Sequence, residues 1–258
     1  MATMGAAVVE RIEALAARLE RLAVDLRPRP EVDRTFSDLV DLVLTTPPDD
    51  AAAALAHPVV RRLRPRLVAL AGEGEHQLEL AWARRVAAGA DLAGFPYLDH
   101  YRLLVEAELA ALAAAGTVPR RVLFVGSGPL PLSPMLLAGH GLEVDALDRD
   151  PDAVAAAEPV AAGAVRFHVG NLLHHHDGLA GYDLAVLAAL VGEKERCLRH
   201  LAAHLPPGAT VVARSARGLR TLLYPRAELP AGCPLRLVDV VHPPPPVINS
   251  IVVARVAS

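Results

Sequence analysis

Val122-Leu123-Phe124-Val125-Gly126-Ser127-Gly128-Pro129-Leu130-Pro131-Leu132 is an apolar run that ends in two glycines and is followed by two prolines. It reads as a strand entering a tight turn. Glycines at 126 and 128 let the chain turn sharply and let a ligand approach the backbone, and the prolines suit a helix start that offers free N–H groups. A plain strand-to-helix turn would use the same glycines, so the turn alone names no ligand. The next β-rich run, Glu143 to Asp150, adds a second signal. It places Asp148 about 20 residues beyond the glycines, where a ribose-binding carboxylate sits in nucleoside-binding βαβ units.

Working outward, short β-rich runs at Arg121–Val125, Leu142–Leu147, Ala164–Val169, Tyr182–Leu187 and Ala209–Ala213 alternate with helical stretches, which predicts parallel βαβ units. The last two runs, Leu235–Val241 and Ile248–Val256, are joined only by His242 and Pro243 to Pro246 and the next residue. That is too short for a crossover helix, so they should pair antiparallel. Upstream, Val9, Ile12, Leu15, Leu19 and Leu22 recur at helical spacing, a second helical pattern runs over Val32–Leu44, a third over His57–Ala88 and a fourth over Tyr97–Ala115. Pro65, Gly72 and Gly74 predict a kink or a break in the third. The expected fold is α/β, an N-terminal helical bundle (1–116) followed by a Rossmann-like, class I methyltransferase-type domain (117–258) with a seven-stranded, mostly parallel sheet.

Composition narrows the function classes. The chain has 258 residues, a net charge of −3 and 53% hydrophobic residues, much of this alanine. No apolar stretch approaches the roughly 18 residues of a spanning helix. Interspersed charge and 3% aromatics argue against a nucleic-acid surface. The N-terminus shows no basic and apolar leader, so a cytoplasmic location is expected. Cys197 and Cys233 are far apart and form no CxxC, which argues against disulfide scaffolds and zinc ribbons. Adjacent His174, His175 and His176, with His168 nearby, cannot all face one ion and read as a solvated loop, so no metal is assigned. With the third glycine of GxGxxG absent and no hydride-handling residue evident, S-adenosylmethionine fits the turn better than a nicotinamide cofactor.

Four segments resemble the nicotianamine synthases and their bacterial relatives, the aminobutanoyl transferases of opine-type metallophore pathways. Phe95-Pro96-Tyr97-Leu98-Asp99-His100-Tyr101 is similar to the family's FPYxxNY segment, and Phe124 to Leu132 to its glycine turn. Leu187-Ala188-Ala189-Leu190-Val191-Gly192 resembles the motif after the fourth strand. Arg214 to Leu219, the residues through Tyr224-Pro225, and Val247 to Val252 resemble the C-terminal blocks. The resemblance implies S-adenosylmethionine as co-substrate, held by Gly126, Ser127, Gly128, Pro129, Asp148, Asn171 and Ala188. It implies transfer of the aminobutyrate group to an amino-acid amine, with release of methylthioadenosine. It further implies a small-molecule acceptor, a homodimer and coupling to an opine-type dehydrogenase.

Departures point toward the bacterial branch: Asn171 where an aspartate is usual, His100 where plant members carry asparagine, Arg217 where they carry histidine, and Glu193 after Gly192 without a Met-Asp pair. They favour a single transfer onto histidine, with nicotianamine itself as the alternative product and a methyltransferase or a non-enzymatic adenosyl-ligand sensor as further ones. The transfer needs a base, because an α-amine of pKa near ~8 is largely protonated at neutral pH. Glu75, matching a family glutamate, is the expected base, and Tyr101 the expected relay; a solvated helix carboxylate and packed rings are the plainer readings. Tyr97, His100, Arg214, Ser215 and Tyr224 are the expected acceptor contacts. Arg214 would clamp a carboxylate unless it forms a surface salt bridge.

Overall fold

The structure is a computed structural model that describes residues 4–175 and 178–257. His176 lies outside the described residues. The chain divides into two compact units, residues 1–81 with 216–226, and residues 82–215 with 227–258.

The first unit is helical. Helices α1 (Met4–Leu22), α2 (Pro30–Thr45), α3 (Pro48–Ala56) and the part of α4 (Pro58–Ala87) up to Ala81 belong to it. Proline opens α2, α3 and α4, where its missing N–H would have no partner anyway. Val9, Ile12, Leu15, Leu19 and Leu22 of α1 are buried as their spacing predicts, together with Val32, Leu39, Leu42 and Val43 of α2. The expected break in the third helical pattern does not occur, and α4 runs unbroken through Pro65. A proline in the second turn removes a single i→i−4 bond, which the remaining bonds of a 30-residue helix can spare. Helix α3 has no counterpart in the sequence reading, although Pro48 followed by Asp49 and Asp50 is a helix-start signature. A 3-10 turn, Gly218–Leu222, joins this unit and buries Leu219 and Leu222.

The second unit carries a seven-stranded sheet in the order β3-β2-β1-β4-β5-β7-β6. Strands β1 (Arg121–Val125), β2 (Glu143–Asp148), β3 (Arg166–Val169), β4 (Leu184–Leu187) and β5 (Thr210–Ser215) are parallel. Strands β7 (Ser250–Val256) and β6 (Leu235–Val241) run antiparallel to β5 and to each other, as expected. Alternate residues of β1 serve opposite faces. Leu123 and Val125 join the cluster containing Leu198 and Leu201 of α8 (Lys194–His204), while Val122 and Phe124 join Leu104, Val105 and Leu112 of α5 (Leu98–Ala114), Leu137 of α6 (Leu132–Gly139) and Ala161 of α7 (Pro151–Ala161). Burial on both faces explains why the inner strands β1 and β4 are continuous apolar runs, whereas the edge strands β3 and β6 carry charged residues and are largely exposed. Strands begin near residue 121, but α5 packs on the sheet and so belongs to the second unit rather than with α1 to α3.

One buried acid in the sheet has a charged retinue. Asp145 of β2 accepts two hydrogen bonds from Arg166, at 2.9 and 2.8 Å, and lies 2.9 Å from His168 Nε2. The Arg166 guanidinium, with the His168 ring, holds this carboxyl well below the usual carboxylate range against the opposing effect of burial.

Candidate active site

In a parallel sheet, ligands bind at the carboxyl ends of the strands, where loops enter the helices. Gly126 and Gly128 follow β1 with φ of +82° and +65°, conformations that favour glycine. A Cβ at Gly126 would lie 2.7 Å from Val191 Cγ2 and 3.3 Å from Ala188 Cβ, so the turn after β1 sits directly against the loop after β4. Asp148, at the end of β2, ties the same turn down: its Oδ2 accepts from the Gly128 N–H at 2.9 Å and its Oδ1 from the Asp150 N–H at 3.0 Å. Each carboxylate oxygen keeps a second lone pair for a ribose hydroxyl. Asn171 follows β3, and its Oδ1 accepts from the Leu173 N–H at 3.0 Å. The turn residues Ser127 and Pro129 are buried, and the Ser127 hydroxyl has no hydrogen-bond partner. Gly126, Ser127, Gly128, Pro129, Asp148, Asn171 and Ala188 therefore gather along one edge, at the ends of the adjacent strands β3, β2, β1 and β4.

The Phe95-Pro96-Tyr97 segment forms an aromatic cluster in the same unit. Phe95 lies edge-on to Trp82 and Tyr97, with ring centroids 5.6 and 5.9 Å apart, and tilted against Tyr101 at 6.3 Å. His100 meets Tyr97 edge-on at 5.4 Å, and burial lowers its imidazole pKa against the opposing charge of Asp99. Tyr97, His100 and Tyr101 are thus brought together as their spacing at the start of α5 requires.

Arg214 sits differently from the surface salt bridge or substrate clamp expected of it. Its Nε donates to Glu108 Oε1 at 2.7 Å and its Nη2 to Glu108 Oε2 at 3.0 Å and to Ser133 Oγ at 2.9 Å. Both partners of the pair are buried, at 4% and 1% exposure. Ser215 is likewise engaged: its hydroxyl accepts from the Ala227 N–H at 2.9 Å and donates to the Ala227 carbonyl at 3.3 Å. These contacts fix the end of β5.

Glu108 escaped the sequence reading, although it occupies a stripe position among Leu104, Val105, Ala111 and Leu112 on the buried face of α5. A carboxylate in such a stripe signals a buried cation elsewhere. Lys194 was missed as well. It is the first residue of α8, is buried, and donates from Nζ to the Ala189 carbonyl.

In the helical unit, Tyr224 donates its hydroxyl proton to Glu75 Oε2 at 2.7 Å. Two candidates 149 residues apart in sequence are therefore in direct contact. Next to Glu75, a Cβ at Gly74 would lie 2.3 Å from Cζ of Phe36, so the Phe36 ring lies against the bare backbone of α4. Arg220, in the turn that precedes Tyr224, has a buried Nε with no hydrogen-bond partner. Among the described residues no group of three or more histidine, cysteine, aspartate or glutamate side chains is placed to hold a metal, and no helix is long and apolar enough to cross a membrane.

A family model described as nicotianamine synthase protein matches residues 2–258. The chain is 36% identical over 271 residues to nicotianamine synthase 3 of Oryza sativa subsp. indica, covering 96% of this chain and 78% of that protein. Its fold is similar to the crystal structure of MtNAS in complex with MTA and tNA, with a TM-score of 0.85 at 23% identity over 96% of this chain and 98% of the other. A mutant of MtNAS in complex with S-adenosylmethionine superposes with a TM-score of 0.83 at 23% identity, covering 97% and 98%.

Proposed function

The chain belongs to the nicotianamine synthase family, and we propose that it transfers the aminobutyrate (3-amino-3-carboxypropyl) group of S-adenosylmethionine to an amine, making nicotianamine from several S-adenosylmethionine molecules. The observation that carries this reading is the family match over nearly the whole chain, which includes the helical residues as well as the sheet. The solved MtNAS complexes, with MTA in one and S-adenosylmethionine in another, support the same ligand chemistry. A sulfonium activates every carbon bonded to it, so positioning selects the reaction. The amine nitrogen forms a bond to the terminal carbon of the aminobutyrate arm, the carbon–sulfur bond breaks, and methylthioadenosine departs with the electron pair on sulfur. Asp148 holds the ribose, with the Gly126–Gly128 turn beneath it and Asn171 toward the adenine. Glu75, oriented by the Tyr224 hydroxyl, takes the amine proton, and Tyr101 with Tyr97 and His100 orients the acceptor.

A single transfer onto histidine, in the manner of the bacterial opine-metallophore branch, is a second reading. It is favoured by Asn171, Arg217 and Glu193, where the chain departs from the plant pattern. The similarity to plant nicotianamine synthases weighs toward nicotianamine. Mass spectrometry of reactions with S-adenosylmethionine alone, and with added D- or L-histidine, separates the two. Nicotianamine formed without added acceptor supports the first reading; product that appears only as a one-unit histidine adduct refutes it.

A further inference from the structure

We propose that Lys194 receives the α-carboxylate of S-adenosylmethionine, together with the hydroxyl of Ser127; this rests on the S-adenosylmethionine reading given above. Asn171 ends β3 and Asp148 ends β2, and the next strands along the edge are β1 and then β4. An adenosine held over β3 and β2 sends its amino-acid arm across the Gly126–Gly128 turn toward the end of β4. The loop leaving β4 leads into α8, and Lys194 is the first residue of that helix. Side chains in a helix tilt toward its N-terminus, which here is the ligand edge of the sheet.

Lys194 is 6% exposed, and the structure gives its ammonium one hydrogen bond, to the Ala189 carbonyl. An ammonium has three donors, so that carbonyl leaves two. Among the described residues no carboxylate forms an ion pair with it. Glu108, the acid that pairs with Arg214, is committed to it by two bonds. A buried cation lacking a counter-ion is costly, and burial, with Arg214 adding to it, pushes the ammonium down to about 7. An incoming carboxylate reverses that cost.

The Ser127 hydroxyl is an independent pointer. It is 7% exposed and has no partner, in the very turn that touches Ala188 and Val191. A carboxylate has two oxygens, and this neighbourhood offers an ammonium and a hydroxyl that protein groups leave underused.

The test uses two ligands that share adenosine and sulfur but differ in the amino-acid arm: S-adenosylmethionine and methylthioadenosine. Calorimetry on the full chain should show Lys194→Met weakening S-adenosylmethionine about ten- to a hundredfold while methylthioadenosine changes less than about twofold. Lys194→Arg, which keeps the charge, should recover most of the loss. Lys194→Gln, a polar neutral variant, should show the same split as Lys194→Met and serves if the latter does not fold. Parallel losses for both ligands, or no loss for either, overturn the assignment while leaving the transfer reading standing. A wild-type protein that binds neither ligand overturns both.

Discussion

Removing either member of the Arg214–Glu108 pair should cost far more than removing both. The pair is buried, its two bonds are 2.7 and 3.0 Å long, and it links β5 to α5 across 106 residues of sequence. Arg214→Met leaves the Glu108 carboxylate in an apolar setting between sheet and helix; Glu108→Leu leaves the guanidinium with Ser133 and the face of Phe124, whose centroid lies 5.2 Å away. Breaking a buried pair by removing one partner typically costs about 3–5 kcal/mol, whereas replacing both by apolar groups of similar size is often near neutral. The double variant should therefore lie within about 2 kcal/mol of wild type, giving a coupling of several kcal/mol in a double-mutant cycle. Urea unfolding followed by fluorescence of Trp82, the chain's one tryptophan, reports on the unit that holds the pair. The midpoints are to be compared at unchanged slope. Single variants that each lose less than about 1 kcal/mol, or a double variant equal to the sum of the two, would show that the two charges are not coupled in a buried pair.

Three further outcomes follow from the same contacts. Gly74→Ala should destabilise the protein by about 1 kcal/mol or more despite alanine's better helix propensity, because its Cβ meets the Phe36 ring, and Phe36→Leu in the same chain should recover part of the loss in thermal unfolding. Asp145 has a native pKa below its unfolded value, so its contribution to stability is complete above about pH 4 and is lost as the pH falls further; melting temperatures from pH 6 to 3 should drop more steeply for wild type than for Asp145→Asn. Glu75→Gln should lower turnover far more than S-adenosylmethionine affinity, and Asp148→Ala should weaken that affinity by removing a charged acceptor from ribose and from the Gly128 N–H; equal affinity losses in calorimetry would show the roles misassigned.

The sheet was legible because burial of the inner strands writes itself as short apolar runs, as in β1, and because the β-branched run of the edge strand β6 is bounded by proline on both sides; both strands begin and end where the sequence places them. The antiparallel end of the sheet followed from loop length alone. The aromatic segment was legible through its resemblance to the family, and Tyr97, His100 and Tyr101 lie within one turn of one another where α5 starts. Long-range pairings were not. Glu108 with Arg214, Asp145 with Arg166, and Glu75 with Tyr224 are joined only by the fold, and a charged residue carries no local mark of the partner it will meet. Lys194 is the sharpest case, since a lysine one residue past a glutamate on a helix start reads as solvated until its burial is seen. Helix α3 was hidden for a different reason: its nine residues are mostly alanine, so no apolar stripe stands out.

Which carbon leaves the sulfonium can be read from one labelling experiment. The full chain is incubated with S-adenosylmethionine carrying an isotopic label on its methyl carbon, and the label is located by mass spectrometry. With aminobutyrate transfer, all of it remains in methylthioadenosine and the amine product is unlabelled. Label in the amine product, with S-adenosylhomocysteine as the nucleoside released, would mean methyl transfer instead.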